Sequence, residues 1–296
     1  MRGSLTIIGA GRVGRALGRA LCERGWKVFG VVTRSKPSAR RAVRFIGQGC
    51  AFAGIAREAL SPRNILISTP DSAIPQIAEE LARVCAEEWK GKTVLHTSGA
   101  LASTALEPVR KFGAAVGSLH PLQTFSGIGV PPLEGRVFAV EGDAAALRLA
   151  RQMVRTLGGH VLQLPASGKA IYHAAASMAA GQVLALLEAA MNLMMSLGIK
   201  RRDALRALLP LTRQVLDNLE RVGPRAAWTG PLARGDYGVI AAHQSALGEF
   251  PAEYRGAYEQ LNRLAARVLS PSPEETISRL NELTDDMKTK TMGRQA

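Results

Sequence analysis

The chain of 296 residues lacks any run of about 18 apolar residues without a charge, and it enters an apolar segment at Ser4. Neither a membrane span nor a signal peptide is expected. The longest apolar stretch, Ala174 to Leu187, is rich in Ala and suits a buried helix. Cysteine is scarce. Cys22, Cys50 and Cys85 are odd in number, widely spaced and outside any Cys-x-x-Cys pattern, which excludes a disulfide scaffold and reads as reduced core thiols in a cytoplasmic protein. Zinc-finger spacing, a basic-aromatic RNA motif, a Lys/Arg-rich tail, internal repeats and low-complexity tracts are also absent, and no metal site is expected. The last shortage is local: no Asp or Glu stands between Glu23 and Glu58.

What is present begins with Ser4-Leu-Thr-Ile-Ile-Gly-Ala-Gly-Arg-Val-Gly14, an apolar strand running into a Gly-x-Gly-x-x-Gly turn at Gly9, Gly11 and Gly14. In a dinucleotide site the first glycine makes the tight turn, the second lets a pyrophosphate approach, and the third lets the next helix pack on the sheet. The helix N-terminus then faces the phosphates with unsatisfied N–H groups. The context fits, with an amphipathic helix after the turn (Val13, Leu17, Ala20, Leu21) and a second strand at Lys27 to Thr33. An NAD site usually ends that second strand with Asp or Glu. Here it ends Thr33-Arg34-Ser35-Lys36, with Arg40 and Arg41 beyond. Guanidinium, ammonium and hydroxyl groups suit a ribose 2′-phosphate, so NADP(H) is the expected cofactor. Its predicted contacts are Gly9, Ala10, Gly11, Arg12, Val13, Gly14, Thr33, Arg34 and Ser35, with Thr69 and Pro70 walling the nicotinamide.

The net charge is +14 and the pI about 10.4. Residues 1–165 hold 22 Lys/Arg against 11 Asp/Glu, and the remainder 16 against 13. The excess surrounds the glycine turn. A basic field attracting an anionic cofactor and a small acidic substrate explains it more economically than nucleic acid.

The first half alternates strands and helices, as in a doubly wound α/β sheet, and beyond Pro165 the pattern is helical only. A Rossmann-like domain over 1–165 followed by an all-helical domain over 166–296 is expected. Predicted strands after the first two lie near Cys50 to Ala53 and at Asn64 to Thr69, Thr93 to His96, Ala114 to Leu119, Val137 to Val140 and His160 to Leu164. Predicted helices include Ala39 to Ile46, Ser72 to Glu88 capped by Asp71, Asp143 to Leu157, one long helix from Ser167 to Leu197, Arg202 to Glu220, Ile240 to Leu247, Ala252 to Leu269 and Pro273 to Asp286. Lys288 to Ala296 are expected to fray.

In open α/β sheets the ligand lies beyond the carboxyl ends of the strands. Three loops there carry small hydroxyls and histidine: Ser68 to Ser72, His96 to Ala100 and Gly117 to Thr124. One cleft could collect Thr69, Ser98 and His120, with His120 suited to acid/base work and His96 to supporting its loop. Lys169 and His173, four apart, share a helix face with Tyr172 beside it. Lys169 sits at a helix N-terminus, where the dipole disfavours a cation; it is either a proton donor of lowered pKa or simply solvated. His120, Lys169, Ser98 and His173 form the candidate catalytic set. Met178, Met191, Met194 and Met195 read as core or subunit interface. Arg234 could clamp a substrate carboxylate, or pair with Asp236 to fix its loop.

These segments, with Leu95-His-Thr-Ser-Gly-Ala100, Gly117-Ser-Leu-His-Pro-Leu-Gln123, Tyr172-His-Ala-Ala175, Thr229-Gly-Pro-Leu-Ala-Arg-Gly-Asp236 and His243, carry a resemblance. The chain resembles the 6-phosphogluconate dehydrogenase-like superfamily, and more narrowly the Rossmann-like proteins with a C-terminal domain of unknown function 2520. Its NADP half is also similar to pyrroline-5-carboxylate reductase. The resemblance implies an NADP-linked oxidoreductase fold, often dimeric through its helical domain. Lys169 matches a helix Lys of 3-hydroxyisobutyrate and 6-phosphogluconate dehydrogenases, but His173 stands where those enzymes have Asn. His120-Pro121 resembles the substrate-contacting His-Pro of prephenate dehydrogenase-like enzymes. The expected function is hydride transfer to or from a small carboxylate-bearing carbonyl, imine or hydroxy acid. The alternative is an NADP(H)-binding regulator without turnover.

Overall fold

The computed structural model describes the backbone of residues 3–84 and 89–292, with side chains to Leu283. Cys85, the predicted helix end at Glu88 and residues 293–296 lie outside the described residues. The chain divides into two compact units, Met1–Gln182 and Val183–Ala296.

In the first unit eight strands form one sheet: β1 (Ser4–Ile8), β2 (Lys27–Thr33), β3 (Cys50–Ala53), β4 (Asn64–Ile67), β5 (Thr93–His96), β6 (Ala115–Pro121), β7 (Val137–Gly142) and β8 (His160–Gln163). Their order is β3-β2-β1-β4-β5-β6-β7-β8. All pairs are parallel except β6 with β7. Parallel strands need crossovers, supplied here by α1 (Arg12–Glu23), α2 (Lys36–Ile46), α3 (Ile74–Val84), α4 (Glu107–Arg110) and α5 (Ala144–Thr156). Each face of the sheet buries its own core. Leu17, Leu21, Ile46, Leu149 and Met153 pack on one side, and Ile74, Leu81, Leu106, Val109 and Trp89 on the other. The central strands accordingly read as continuous apolar runs.

The chain reverses between β1 and β4, where Gly9 turns out of the sheet at φ +85° and its N–H donates to the Val32 carbonyl. A Cβ on Gly14 would lie 2.4 Å from the Gly9 carbonyl oxygen and 3.0 Å from the Ser68 Cβ. Gly14 therefore seats α1 on the loops, whereas the expected helix-to-sheet contact belongs to Gly18, whose Cβ would meet Ile7 at 2.6 Å and Ile46 at 2.9 Å.

The first unit ends one helix later than Pro165. A 3₁₀ turn at Ala166–Gly168 leads into α6 (Lys169–Ser177), and a π-helical turn follows at Met178–Gln182. The single long helix expected here is present as Ala166–Ser196, with the π-helical turn as a local widening of its hydrogen-bond ladder. The second unit holds α7 (Val183–Ser196), α8 (Arg201–Val222), α9 (Pro224–Ala227), α10 (Pro231–Arg234), α11 (Tyr237–Leu247), α12 (Ala252–Leu269) and α13 (Pro273–Met292). α7 packs on α8, and α11 packs on α12 and α13 around Leu232, Ile240, Ala266 and Leu280. α13 runs past Lys288, where fraying was expected.

Two expectations of burial fail. The segment Ala166–Ser196 is long and apolar enough to cross a membrane by length and composition, yet only 6% of its most apolar window is buried. Within the described fold most of Ala174 to Leu187 faces outward, with Ala176, Ser177 and Leu187 half-buried. Of the methionines there, Met191 is buried while Met178 and Met195 are exposed. Cys50 is likewise exposed at the sheet edge and Cys22 half-buried, both as free thiols.

Because the oxygen facing Gly14 is backbone and cannot rotate away, Gly14→Ala is expected to cost about 1–3 kcal/mol. Urea unfolding of the variant should show a lower midpoint at unchanged slope.

Candidate functional site

The strand ends converge through hydrogen bonds that the sequence left open. The Ser98 hydroxyl donates to Asp71 Oδ2 at 2.8 Å and accepts from the Ala100 and Leu101 N–H groups at 3.1 and 2.9 Å. The Thr97 hydroxyl reaches Ser68 Oγ at 3.3 Å. The loops after β4 and β5 are thereby stapled together, with the Ser98 proton directed at Asp71. The cap expected of Asp71 is replaced: Asp71 lies inside the 3₁₀ turn Asp71–Ala73, which Pro70 precedes, and its carboxylate receives Ser98.

His96 is fully buried. Its Nδ1 accepts from the Ser98 N–H at 3.2 Å, which leaves Nε2–H to donate to the Ala102 carbonyl at 3.2 Å. Burial pushes its pKa down to about 4. The loop-supporting role expected of it is the one its bonds describe.

Lys169 is only 2% exposed. Its ammonium donates to the Ser98 carbonyl at 2.9 Å and to Ser118 Oγ at 3.1 Å. Burial pushes its pKa down to about 8, opposed by the Glu141 and Asp71 charges. The solvated alternative is excluded, and the depression comes from desolvation rather than from the helix terminus. Glu141, opposite Ser118 across β6 and β7, is itself held by the Ser103 N–H at 2.8 Å and hydroxyl at 2.6 Å.

His120 and Ser118 are two apart on β6 and face the same way. Lys169 and Tyr172 are three apart on α6 and do likewise. The helix matches the strand: Lys169 meets Ser118, and Tyr172 Oη shares a 2.8 Å hydrogen bond with His120 Nδ1. His120 lies edge-on to both Tyr172 and His173, with ring centroids 5.6 Å apart in each pair. Burial, aided by the Lys169 and His173 charges and opposed by Asp71, pushes the His120 pKa down to about 4. Burial pushes Tyr172 up to about 12. Gly99 separates the histidines: a Cβ there would lie 2.3 Å from His173 Nδ1 and 2.9 Å from His120 Nε2. His173 Nδ1 is buried without a partner among the described residues. Gly99, Ser118, Tyr172 and Glu141 were missed as site residues, although period-two and i,i+3 spacing carried the signal for Ser118 and Tyr172.

The dinucleotide residues are assembled at the same sheet end. Apart from its own chain neighbours, no atom of the described residues lies within 4 Å of a Cβ built on Gly11, and α1 begins with neither a side-chain cap nor an acid in its first turn. Thr69 Oγ1 is buried without a partner among the described residues, beside Gly9. At the end of β2, several expected phosphate ligands are already engaged. The Thr33 hydroxyl donates to the Ser35 carbonyl at 2.8 Å, the Ser35 hydroxyl to Ser38 at 3.0 Å, and the Lys36 ammonium to the Ala51 carbonyl at 2.5 Å. Arg34 is exposed and makes no hydrogen bond among the described residues. An open glycine, an uncapped helix, an orphaned hydroxyl and an unengaged guanidinium fit a dinucleotide with a 2′-phosphate.

In the helical unit, Arg234 Nε donates to Asp236 Oδ2 at 2.9 Å, both side chains being well exposed. The internal pair is formed, and the rest of the guanidinium remains exposed.

His96 and His120 are held neutral by the fold, so the unfolded chain binds more protons as pH falls from about 6.5 towards 4, and stability is lost over that interval. For fully buried His96 the loss should reach roughly 3 kcal/mol. Unfolding free energies measured by urea titration between pH 7 and pH 4 should show this slope, and His96→Gln should flatten it.

The Rossmann-like domain family matches residues 1–121, and the family described as Domain of unknown function (DUF2520) matches residues 136–265. No curated protein matches the chain. Among solved structures, the candidate NADP oxidoreductase BF3122 from Bacteroides fragilis is 23% identical with a TM-score of 0.73, covering 88% of this chain and 96% of its own. A reductive aminase from Aspergillus terreus, in complex with NADPH and ethyl-5-oxohexanoate, is 19% identical with a TM-score of 0.65, covering 90% and 94%. A pyrroline-5-carboxylate reductase from Coxiella burnetii is 15% identical with a TM-score of 0.59, covering 96% and 99%. At these identities the likeness is one of fold. The two family matches account for most of the chain, which belongs to the proteins that join a Rossmann-like domain to a domain of unknown function (DUF2520).

Proposed function

We propose that this protein is an NADP(H)-dependent oxidoreductase that transfers a hydride to or from a small carboxylate-bearing carbonyl, imine or hydroxy acid. The observation that carries the reading is the meeting, at one end of one sheet, of an open glycine turn and a sequestered Lys169–His120–Tyr172–His173 cluster. A phosphate-binding turn alone would suit a sensor. Buried ionisable groups with strongly shifted pKa values are what proton-coupled chemistry needs. Bound NADP(H) would supply the hydride, with Gly9, Gly11 and the start of α1 holding its pyrophosphate and Arg34 its 2′-phosphate. The A. terreus aminase, a structural neighbour, binds NADPH. In this reading His120 is the proton donor, with Lys169 and Ser98 orienting the loops around it.

Titration of the purified chain with NADPH and NADH, followed by nicotinamide fluorescence, should show tighter NADPH binding. Losing an Arg–phosphate contact costs about 1.5–3 kcal/mol, so Arg34→Glu should weaken NADPH roughly ten- to hundredfold and leave NADH nearly unchanged. An unaltered NADPH preference would refute the phosphate assignment. In the same preparation, oxo acids and cyclic imines should reveal turnover that His120→Ala abolishes. Tight binding with no turnover across that panel would favour the sensor.

The partner is a second copy of the chain. α7 and α8 present Leu184, Leu186, Leu211, Val215, Leu216 and Leu219 to solvent at 41–66% exposure, an apolar stripe of the kind that monomers rarely leave uncovered. Dimerisation through the helical half, as the resemblance implies, would cover it. Sedimentation velocity should give a dimer that Leu216→Glu with Leu219→Glu converts to monomer; a wild-type monomer that floats with liposomes would reject this partner.

A further inference from the structure

Lys169 is the residue the superfamily resemblance singles out, yet its ammonium is committed to the Ser98 carbonyl and Ser118 hydroxyl, and its side chain is almost fully covered. Two of its three protons are thus engaged, and its burial leaves little access to water for resupply. A donor nearer to solvent stands beside it in the cluster. We propose that Tyr172 holds His120 as a single neutral tautomer, donating its hydroxyl proton to Nδ1 so that Nε2–H faces the substrate, and that it resupplies the proton His120 gives up. The proposal rests on the reductase reading and adds to it a proton route, written here for a carbonyl substrate.

Three observations support it. The 2.8 Å contact to Nδ1 and the edge-on packing fix the ring from one side, while Gly99 leaves Nε2 close to the backbone on the other. Burial and the Lys169, His173 and His96 charges outweigh Asp71, the one neighbour that favours protonation, and keep His120 neutral. Tyr172 is half-buried, whereas Lys169 is almost fully covered, so of the two it is the residue with access to water. The balance is simple. Bound NADPH would supply the hydride, becoming oxidised as the carbonyl carbon is reduced; the protein's own part is the proton. The carbonyl oxygen takes the proton of Nε2, Nδ1 takes the proton of Tyr172, and the phenolate takes one from water. An alkoxide is a stronger base than a phenolate, so the transfer runs downhill while the imidazole stays neutral. Neutral imidazole as an electrophile has precedent in triosephosphate isomerase.

The test is ¹⁵N NMR of the histidine-labelled full chain, wild type and Tyr172→Phe, between pH 5 and 8. In the wild type His120 should show protonated Nε2 and unprotonated Nδ1 throughout. In the variant it should show mixed tautomers, with the buried His96 signal unmoved as a control for folding. Wild-type His120 protonated at Nδ1, or a variant spectrum identical to wild type, overturns the proposal. On an oxo acid turned over by the wild type, Tyr172→Phe should lower kcat by about 10²–10⁴-fold with KM and NADPH affinity within twofold. A variant retaining wild-type kcat also overturns it. Silence of the whole panel with wild-type protein would count against the reductase reading, while the His120 spectrum still decides the role of Tyr172.

Discussion

The buried ammonium of Lys169 is the constraint on which the site depends. A charge taken out of water is costly unless it is hydrogen-bonded and paired, and this one is bonded to the end of one strand and the loop after another, with Glu141 and Asp71 opposing the desolvation. Meeting those demands fixes α6 against β6 and sets Tyr172 on His120 one helical turn later. It also carries the compact first unit past Pro165 to Gln182. The residue that looks like an acid from its position along the chain acts first as the pin that aligns the others.

The loops obey the same logic at shorter range. Ser98 spends its hydroxyl on Asp71 and two backbone N–H groups and its carbonyl on Lys169, while His96 holds the same loop from below. With so many bonds closed, the polar atoms left over stand out. Thr69 Oγ1 lies beside the glycine turn and His173 Nδ1 beside Gly99, each buried and unpartnered among the described residues. Buried polar groups are ordinarily satisfied, so these two atoms, one in the dinucleotide turn and one in the histidine cluster, are free to bond a ligand's polar groups.

Much of this was legible in the residues. The strand-turn-helix around Gly9, the run of apolar strands and the switch to helices at Pro165 are local patterns, and the sheet follows from them. Lys169, His120 and His173 could be nominated because strand ends and helix faces obey fixed periods. What could not be read were contacts across long separations. Lys169 finds Ser98 across 71 residues and Ser118 across 51, and nothing local tells a buried lysine from a solvated one at a helix start. The outward-facing α7 was misread for a related reason. An apolar helix declares that it will be covered, not whether its own chain or another does the covering.

The charge distribution then acquires a structural meaning. Arg34 and its basic neighbours lie at the exposed end of β2, where a field can draw in an anion but is screened by salt beyond about 8–10 Å. Inside the cluster the arrangement is reversed: one cation, Lys169, is immobilised, and the histidine beside it is kept neutral. A positive rim favours capture of a negatively charged dinucleotide and acid, whereas a neutral interior favours proton exchange without trapping an imidazolium–carboxylate pair. The two requirements conflict if the same residues must meet both. In the proposed reductase they would fall to residues on different strands of one sheet, Arg34 after β2 and His120 on β6, which is what a doubly wound sheet with all its parallel loops at one edge allows.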